Sequence, residues 1–414
     1  MKKSATGETP AAPPSSRDFG AFLSGSLDAI RGQNLLRRLR TLDSPQDVRV
    51  VCNGATLVNF SSNDYLGLAN HPALQAAAIA AFERGGFGAG ASRLVCGTFA
   101  AHEELEAAVA AFKRTPAALS FSSGYAAAMG AIPALCGKDD VLILDKLCHA
   151  CLVDGARLSG AHLRVFPHND MGKLESHLRW AARTHPKGRV MILAESVYSM
   201  DGDTAPLVEI VSLKERYGAW LFLDEAHGVG VLGEGGRGLA DEQGVAGQIE
   251  IQMGTLGKAL GAHGAYLAGS RALRDFLINR NRAFVYSTAP PAPVAAAAAR
   301  AIGIVQSDEG NRLRAKLWEN IRALASRLGP VHASSAIVPL IVGDEQKAVH
   351  WASRLLQEGF LVPSIRFPTV ARGSARLRIT LSAAHRADEI GALADRCAAL
   401  AVDSGRPTGR CRGG

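Results

Sequence analysis

Long apolar runs are missing from this 414-residue chain. Nowhere do about eighteen apolar residues follow one another, so no helical membrane span is expected. Met1 to about Asp18 is rich in Ser, Thr, Ala and Pro and has no apolar segment, so it reads as a disordered tail, not a secretory signal. Cysteine is sparse: seven residues, an odd number, scattered without a disulfide framework, which points to a reducing, cytoplasmic setting. Cys148-His149-Ala150-Cys151 has no second pair at zinc spacing, so two ordinary thiols and no metal are expected. The net charge of +8 is spread along the chain and not gathered into a basic stripe. That argues against nucleic acid, and fits a solvated surface or mild attraction of an anionic substrate such as a CoA thioester. Gly228-Val229-Gly230-Val231-Leu232-Gly233 matches a dinucleotide fingerprint, but Glu234-Gly235-Gly236-Arg237-Gly238 follows where a helix is required.

What is present is ample core material, 47% hydrophobic residues, and 44 glycines, many in turns after apolar runs. Apolar strands at 117–121, 141–145, 163–166, 190–195 and 220–224 alternate with helical segments. This is the pattern of an α/β fold with a mostly parallel, helix-covered central sheet, whose functional residues lie at the strands' C-terminal ends. A helix from Phe19 to Leu42 and a hairpin over 48–60 turning at Asn53-Gly54 come first. A glycine-rich loop, 85–93, precedes a helix over 102–112. Beyond residue 308 the pattern changes to helix 311–328, strand 336–342, helix 346–357, strands 360–363 and 376–381, and helix 387–399. The expected division is a tail (1–18), an N-terminal helix and hairpin that pack with the small domain (19–60), a large domain (61–305), a smaller α/β domain (306–402) and a flexible end (403–414).

The informative residues sit just past strand ends. Trp220-Leu221-Phe222-Leu223-Asp224-Glu225-Ala226-His227 ends an apolar strand with a carboxylate and an imidazole three residues apart. Thr255-Leu256-Gly257-Lys258-Ala259-Leu260-Gly261 holds a lysine between small residues, with no counter-ion beside it. Such an amine serves as a Schiff-base nucleophile, and its small neighbours leave room for a flat ring. An Asp at a strand end can keep a proton on a pyridine nitrogen, so that the ring draws electrons. Either piece alone reads more readily as solvated side chains, and it is the two together, each after a strand, that point to this chemistry. Ser122-Ser123-Gly124-Tyr125 stands between a strand and a helix N-terminus, where free amides and the helix dipole suit a phosphate. His149 also follows a strand end and would reach the same sheet edge, in a structural or a ring-stacking role.

Together with Ser61-Ser62-Asn63-Asp64-Tyr65-Leu66-Gly67, Val197-Tyr198-Ser199-Met200-Asp201-Gly202-Asp203 and Ala375-Arg376-Leu377-Arg378-Ile379-Thr380, these stretches resemble the α-oxoamine synthase family of fold-type I pyridoxal-phosphate (PLP) enzymes, from about residue 25 to 402. The resemblance implies decarboxylative condensation of an amino acid with an acyl thioester. It implies PLP held through Lys258, which also serves as the base, with Asp224 at the ring nitrogen, His227 at the ring hydroxyl and His149 stacked on the ring. Gly124, Tyr125, Ser199 and Thr255 would complete the cofactor site, with Thr288 or Ser287 reaching the phosphate of a neighbouring subunit in a homodimer. Arg37, Arg366, Thr369 and Arg378 would hold substrate carboxylates. Leu36-Arg37-Arg38, Ala226-His227-Gly228 and Ile365-Arg366-Phe367-Pro368-Thr369-Val370 resemble members that join L-alanine to a pimeloyl thioester, carried on CoA or an acyl-carrier protein, in biotin synthesis. Members using glycine are the alternative. A catalytically inactive partner subunit is the non-enzyme reading, opposed by the presence of Lys258, Asp224 and His149. Phe367 departs from the family pattern, which has Pro there.

Overall fold

The computed structural model describes residues 18–33, 35–329, 331 and 333–403. The tails expected at 1–18 and 403–414 lie outside the described residues, apart from Asp18 and Asp403. Asp18 caps helix Phe19–Gly32, its carboxylate accepting the Ala21 amide at 3.0 Å. Strands β1 (Arg49–Cys52) and β2 (Ala55–Asn59) form the expected hairpin. Asn53 and Gly54 both take positive φ, 51° and 77°, as a tight turn matched to strand twist requires.

The centre is a seven-stranded sheet of β3 (Ala117–Phe121), β4 (Val141–Asp145), β5 (His162–Phe166), β6 (Val190–Glu195), β7 (Trp220–Asp224), β8 (Ile251–Thr255) and β9 (Ala265–Gly269), in the order β3-β9-β8-β7-β6-β4-β5. All are parallel except β9, which runs against both β3 and β8. Every residue of β3, β4 and β9 is buried. Strands covered on both faces read as unbroken apolar runs, which is why most are visible in the sequence. Helices Gly124–Leu135, Ala150–Ser159, Met171–Thr184 and Leu207–Tyr217 link them. Each fully buried large side chain in these layers, such as Phe222 or Leu223, contributes about 1.5–3 kcal/mol.

Toward the C-terminus, β10 (Ile337–Gly343), β11 (Phe360–Leu361), β12 (Ser364–Ile365) and β13 (Ala375–Thr380) form two small sheets. The order β10-β13-β12 is antiparallel, while β11 joins the N-terminal hairpin as β1-β2-β11. The Thr380 amide donates to the Phe60 carbonyl at 2.8 Å, which stitches the two sheets together.

Three expectations are corrected. The helix expected over Phe19 to Leu42 stops at Gly32 and buries none of its residues, so Arg37 lies on extended, exposed backbone. Glycine is a poor helix residue, and Arg37-Arg38-Leu39-Arg40 would add like-charge repulsion to a helix with no buried face. The strand expected over 360–363 is two short ones that belong to different sheets, with Pro363, which has no N–H to offer, at the switch. A short helix, Arg93–Cys96, interrupts the loop ahead of helix Ala100–Lys113. Strand β9 and helix Ala292–Val305 are not expected from the sequence. That helix has apolar residues all round except Arg300, and packs on helices Pro72–Gly85 and Ala100–Lys113, so it carries no amphipathic signature. Among the described residues, no helix is long and apolar enough to cross a membrane.

Candidate active site

The C-terminal ends of β4, β6, β7 and β8 deliver four groups to one place. After β8 the chain folds into a tight loop: Leu256 donates to the Gly264 carbonyl at 2.9 Å, Ala262 to Leu256 at 2.8 Å and Gly261 to Lys258 at 2.8 Å. Leu256, Ala259 and Leu260 are buried and anchor it. Gly261, at φ 63°, admits no side chain, because a Cβ would lie 2.3 Å from the Leu68 carbonyl carbon. So pinned, Lys258 brings Nζ to 3.1 Å from His227 Nε2. His227 Nδ1 in turn meets the hydroxyl of fully buried Tyr65 at 2.5 Å. Burial pushes the Tyr65 hydroxyl up to about 12, so it stays neutral.

Charge is arranged to keep these groups reactive. Burial, against the pull of Asp224 and Glu195, holds the Lys258 ammonium below the ordinary lysine range. His227 lies well below its ordinary value, by burial first and then by Lys258 and Arg378, and is neutral. Burial raises Asp224, although Lys258 and a 2.8 Å bond from the Ala226 amide pull it down. Glu195 stands beside it, since the two residues pair across β6 and β7. Burial and the Asp224 charge push Glu195 well above the carboxylate range, so Glu195 is the member that keeps its proton. Glu195 also accepts the His149 amide, fixing the start of helix Ala150–Ser159. The turn beyond Asp224 is anchored by a buried ion pair of Lys113 and Glu225, whose carboxylate also takes the Ala240 amide at 2.9 Å.

Opposite lies the N-terminus of helix Gly124–Leu135. Ser123 caps it by accepting the Ala126 amide at 3.0 Å, which leaves the first-turn amides of Gly124 and Tyr125 for a ligand. A Cβ on Gly124 would sit 3.0 Å from Thr255 Cγ2, so this helix end, the end of β8 and the lysine loop adjoin. Tyr125 is half-exposed and donates to Asp154 at 2.5 Å.

From the small sheet, Arg378 reaches into the same region. Its Nε donates to the Ser199 carbonyl at 2.5 Å, its terminal nitrogens to Asn63 Oδ1 at 3.1 Å and to Thr380 Oγ1 at 3.0 Å. All three acceptors are neutral, and the guanidinium is buried.

The aminotransferase class I and II family model matches residues 55–397. A relative from Geobacter sulfurreducens, 8-amino-7-oxononanoate synthase, is 49% identical over 88% of this chain and 93% of its own length. The chain belongs to the aminotransferase class I and II family. Among solved structures, serine palmitoyltransferase from S. paucimobilis with bound PLP superposes with a TM-score of 0.87 at 29% identity, covering 94% of this chain and all (100%) of that one. The 8-amino-7-oxononanoate synthase of Francisella tularensis gives 0.70 at 27% identity, covering 84% of this chain and 98% of that one. Within the family this chain has the α-oxoamine synthase fold and is a PLP-dependent acyltransferase that decarboxylates. Its residues fit PLP: a lysine held below its ordinary pKa, a strand-end carboxylate, a neutral imidazole and a helix N-terminus with free amides meet at one end of the sheet.

Other residues expected to contribute to this family member's site lie further out. Ser287 and Thr288 are exposed beyond helix Arg282–Val285 and line a small crevice with Ser122 and Arg93. Arg366 lines a cavity of about 780 Å³ with Leu35, Leu36, Val349, Phe367 and Arg372. The Arg372 guanidinium lies 4.2 Å from the centre of the Phe367 ring. Thr369 is exposed, its amide donating to the Arg366 carbonyl at 3.0 Å. Arg37 lies just past Leu35 and Leu36, in solvent. Sequence reasoning misses Glu195, Tyr65 and Asn63 as site residues. Tyr65 and Asn63 belong to a stretch that carries the family resemblance, but nothing local assigns them a task.

Proposed function

We propose that this chain joins L-alanine to a pimeloyl thioester with loss of CO2, giving 8-amino-7-oxononanoate, the product that the name of its relatives carries. The observation that carries the reading is Arg378, a buried cation close enough to act on Lys258, whose hydrogen-bond partners among the described residues are neutral oxygens. Burying a charge without a counter-ion is costly, so the guanidinium is set to receive an anionic substrate group, the amino acid's carboxylate.

Bound PLP supplies an aldehyde to hold the amine and a ring that draws electrons from the α-carbon. Lys258 would hold the cofactor and, with its lowered pKa, take the α-proton. Asp224 would keep the ring nitrogen protonated, His227 would hold the ring hydroxyl, and His149 would cover the ring. The Gly124 and Tyr125 amides would bind the phosphate, Ser199 and Thr255 would contact the ring or phosphate region, and Thr288 would serve the neighbouring subunit. The new carbon–carbon bond forms at the thioester carbonyl, and the thiol departs. Arg378 steers the carboxylate until it leaves as CO2, and Lys258 returns a proton to the α-carbon. Arg366, Thr369 and Arg37 serve the acyl side, where Leu35, Leu36 and Phe367 offer apolar surface to the chain. The active unit is a two-fold homodimer in the cytoplasm.

Purified protein loaded with PLP should be offered L-alanine or glycine with pimeloyl-CoA, a pimeloyl carrier protein and an uncharged acyl-CoA of similar length. The expected product, by mass, is 8-amino-7-oxononanoate from alanine and pimeloyl donors. Turnover confined to glycine, or to the uncharged donor, would overturn the reading.

A further inference from the structure

His149 begins helix Ala150–Ser159 as its cap, an uncommon task for an imidazole. Its Nδ1 accepts the Cys151 backbone amide at 3.2 Å, and the Cys151 thiol lies 3.0 Å from the same nitrogen. A nitrogen whose lone pair accepts hydrogen bonds cannot carry a proton of its own without losing them. We infer that Cys151 is a positioning residue: its amide and thiol share the one Nδ1 lone pair in a three-centre hydrogen bond, locking His149 as the neutral tautomer with its only proton on Nε2.

The surroundings agree. Burial, Asp224 and Glu195 keep the Cys151 thiol far above its ordinary range, so the sulfur holds its proton and can donate it. Burial of the ring holds His149 below the usual histidine range; Asp224 and Asp154 oppose that and Lys258 reinforces it. Behind His149, Glu195 fixes the backbone amide and so the direction in which the ring leaves the chain. The outcome is a single-sided donor. The Nδ1 side is closed to proton exchange by Cys151, and Nε2–H is the one donor left for a substrate carbonyl. This rests on the reading that His149 covers the cofactor. It adds that the ring contributes a fixed donor there, and that the second residue of the helix selects it.

The test is nitrogen NMR of histidine-labelled protein, apo and PLP-loaded, with His149 assigned by its loss in His149→Asn. The expected wild-type spectrum has Nδ1 unprotonated and Nε2 protonated across neutral pH. Cys151→Ala removes one donor and should shift the tautomer ratio toward Nδ1–H by about three- to tenfold, the worth of one hydrogen bond. Cys151→Ser, which restores a hydroxyl donor, should return it. A protonated Nδ1 in the wild type, or an unchanged ratio in Cys151→Ala, would overturn the inference. Product formation by the same samples is scored separately. A protonated Nδ1 in the wild type with intact synthesis sinks only the inference, whereas an Nε2–H wild type that makes no product sinks the proposed function.

Discussion

The lysine centre and the cavity proposed for the acyl side are built in opposite ways. Around Lys258, the residues Glu195, Asp224, His227, His149 and Lys258 itself stand at the end of a parallel strand or within four residues past it, and the loop is fixed by backbone hydrogen bonds and by glycine positions that admit no side chain. Around Arg366 the lining comes from the start of helix Glu345–Gln357, the end of helix Phe19–Gly32, half-buried Leu35 and Leu36, and the turn carrying Phe367 and Arg372. A rigid sheet edge can hold reacting groups within the narrow tolerance that chemistry demands. Exposed turns tolerate change, so they suit the choice of acyl chain. If the Arg366 cavity takes the acyl chain as proposed, reaction type and substrate choice are separable in this molecule.

Breaking the first half of that comparison should cost most. Lys258→Ala should lower kcat by about ten thousandfold, the upper end for a positioned proton-transfer group, with Tm little changed. Asp224→Asn removes the charge that holds the ring proton, and should cost about a hundred- to a thousandfold in steady-state turnover. It should leave the far-ultraviolet dichroism of the fold intact. A loss smaller than tenfold in either variant would mean the sheet edge does not set the chemistry.

The second half predicts modest, substrate-dependent effects. Arg37 is exposed, so Arg37→Ala should raise KM for pimeloyl-CoA by about fivefold, the size of an exposed charge pair, and leave an uncharged acyl-CoA unaffected. Equal losses on both donors would remove Arg37 from acyl recognition.

A stability measurement sharpens the same contrast at the strand ends. His168 is held between Asp145, at 3.1 Å, and Asp203, at 2.7 Å, which ties β4 to the loop carrying Ser199. Burial alone would lower its pKa, but the two carboxylates outweigh it and hold the imidazole up at about 10, against 6.5 for the free group. A group raised in the folded state contributes its full stability below the unfolded pKa and loses it as pH climbs through the folded one. The difference in unfolding free energy between wild type and His168→Asn should therefore be about 2 kcal/mol at pH 6 and shrink steadily toward pH 10. A difference that grows with pH would show that the histidine is neutral.

Much of this architecture is legible in the amino-acid sequence alone. The strands announce themselves because burial on both faces demands apolar side chains throughout, and Lys258, Asp224, His227 and His149 follow them closely in the chain. The roles of Tyr65 and Asn63 are not legible, since Tyr65 meets a residue 162 positions away and Asn63 one 315 positions away. No local pattern encodes such a contact. Helix Ala292–Val305 is hidden for the opposite reason, its apolar character being too uniform to show a period. The over-long first helix shows the limit of propensity, because its apolar stripe finds no buried partner among the described residues that would extend it past Gly32.

The most direct test of the central claim, that the sheet edge is built to hold PLP through one lysine, is chemical labelling. Protein loaded with PLP is reduced with borohydride, digested, and its modified peptide sequenced by mass spectrometry. The account predicts one adduct, on Lys258 in the peptide spanning residues 255–261, and none in Lys258→Ala. An adduct on any other lysine of the wild type, or no adduct at all, would contradict it.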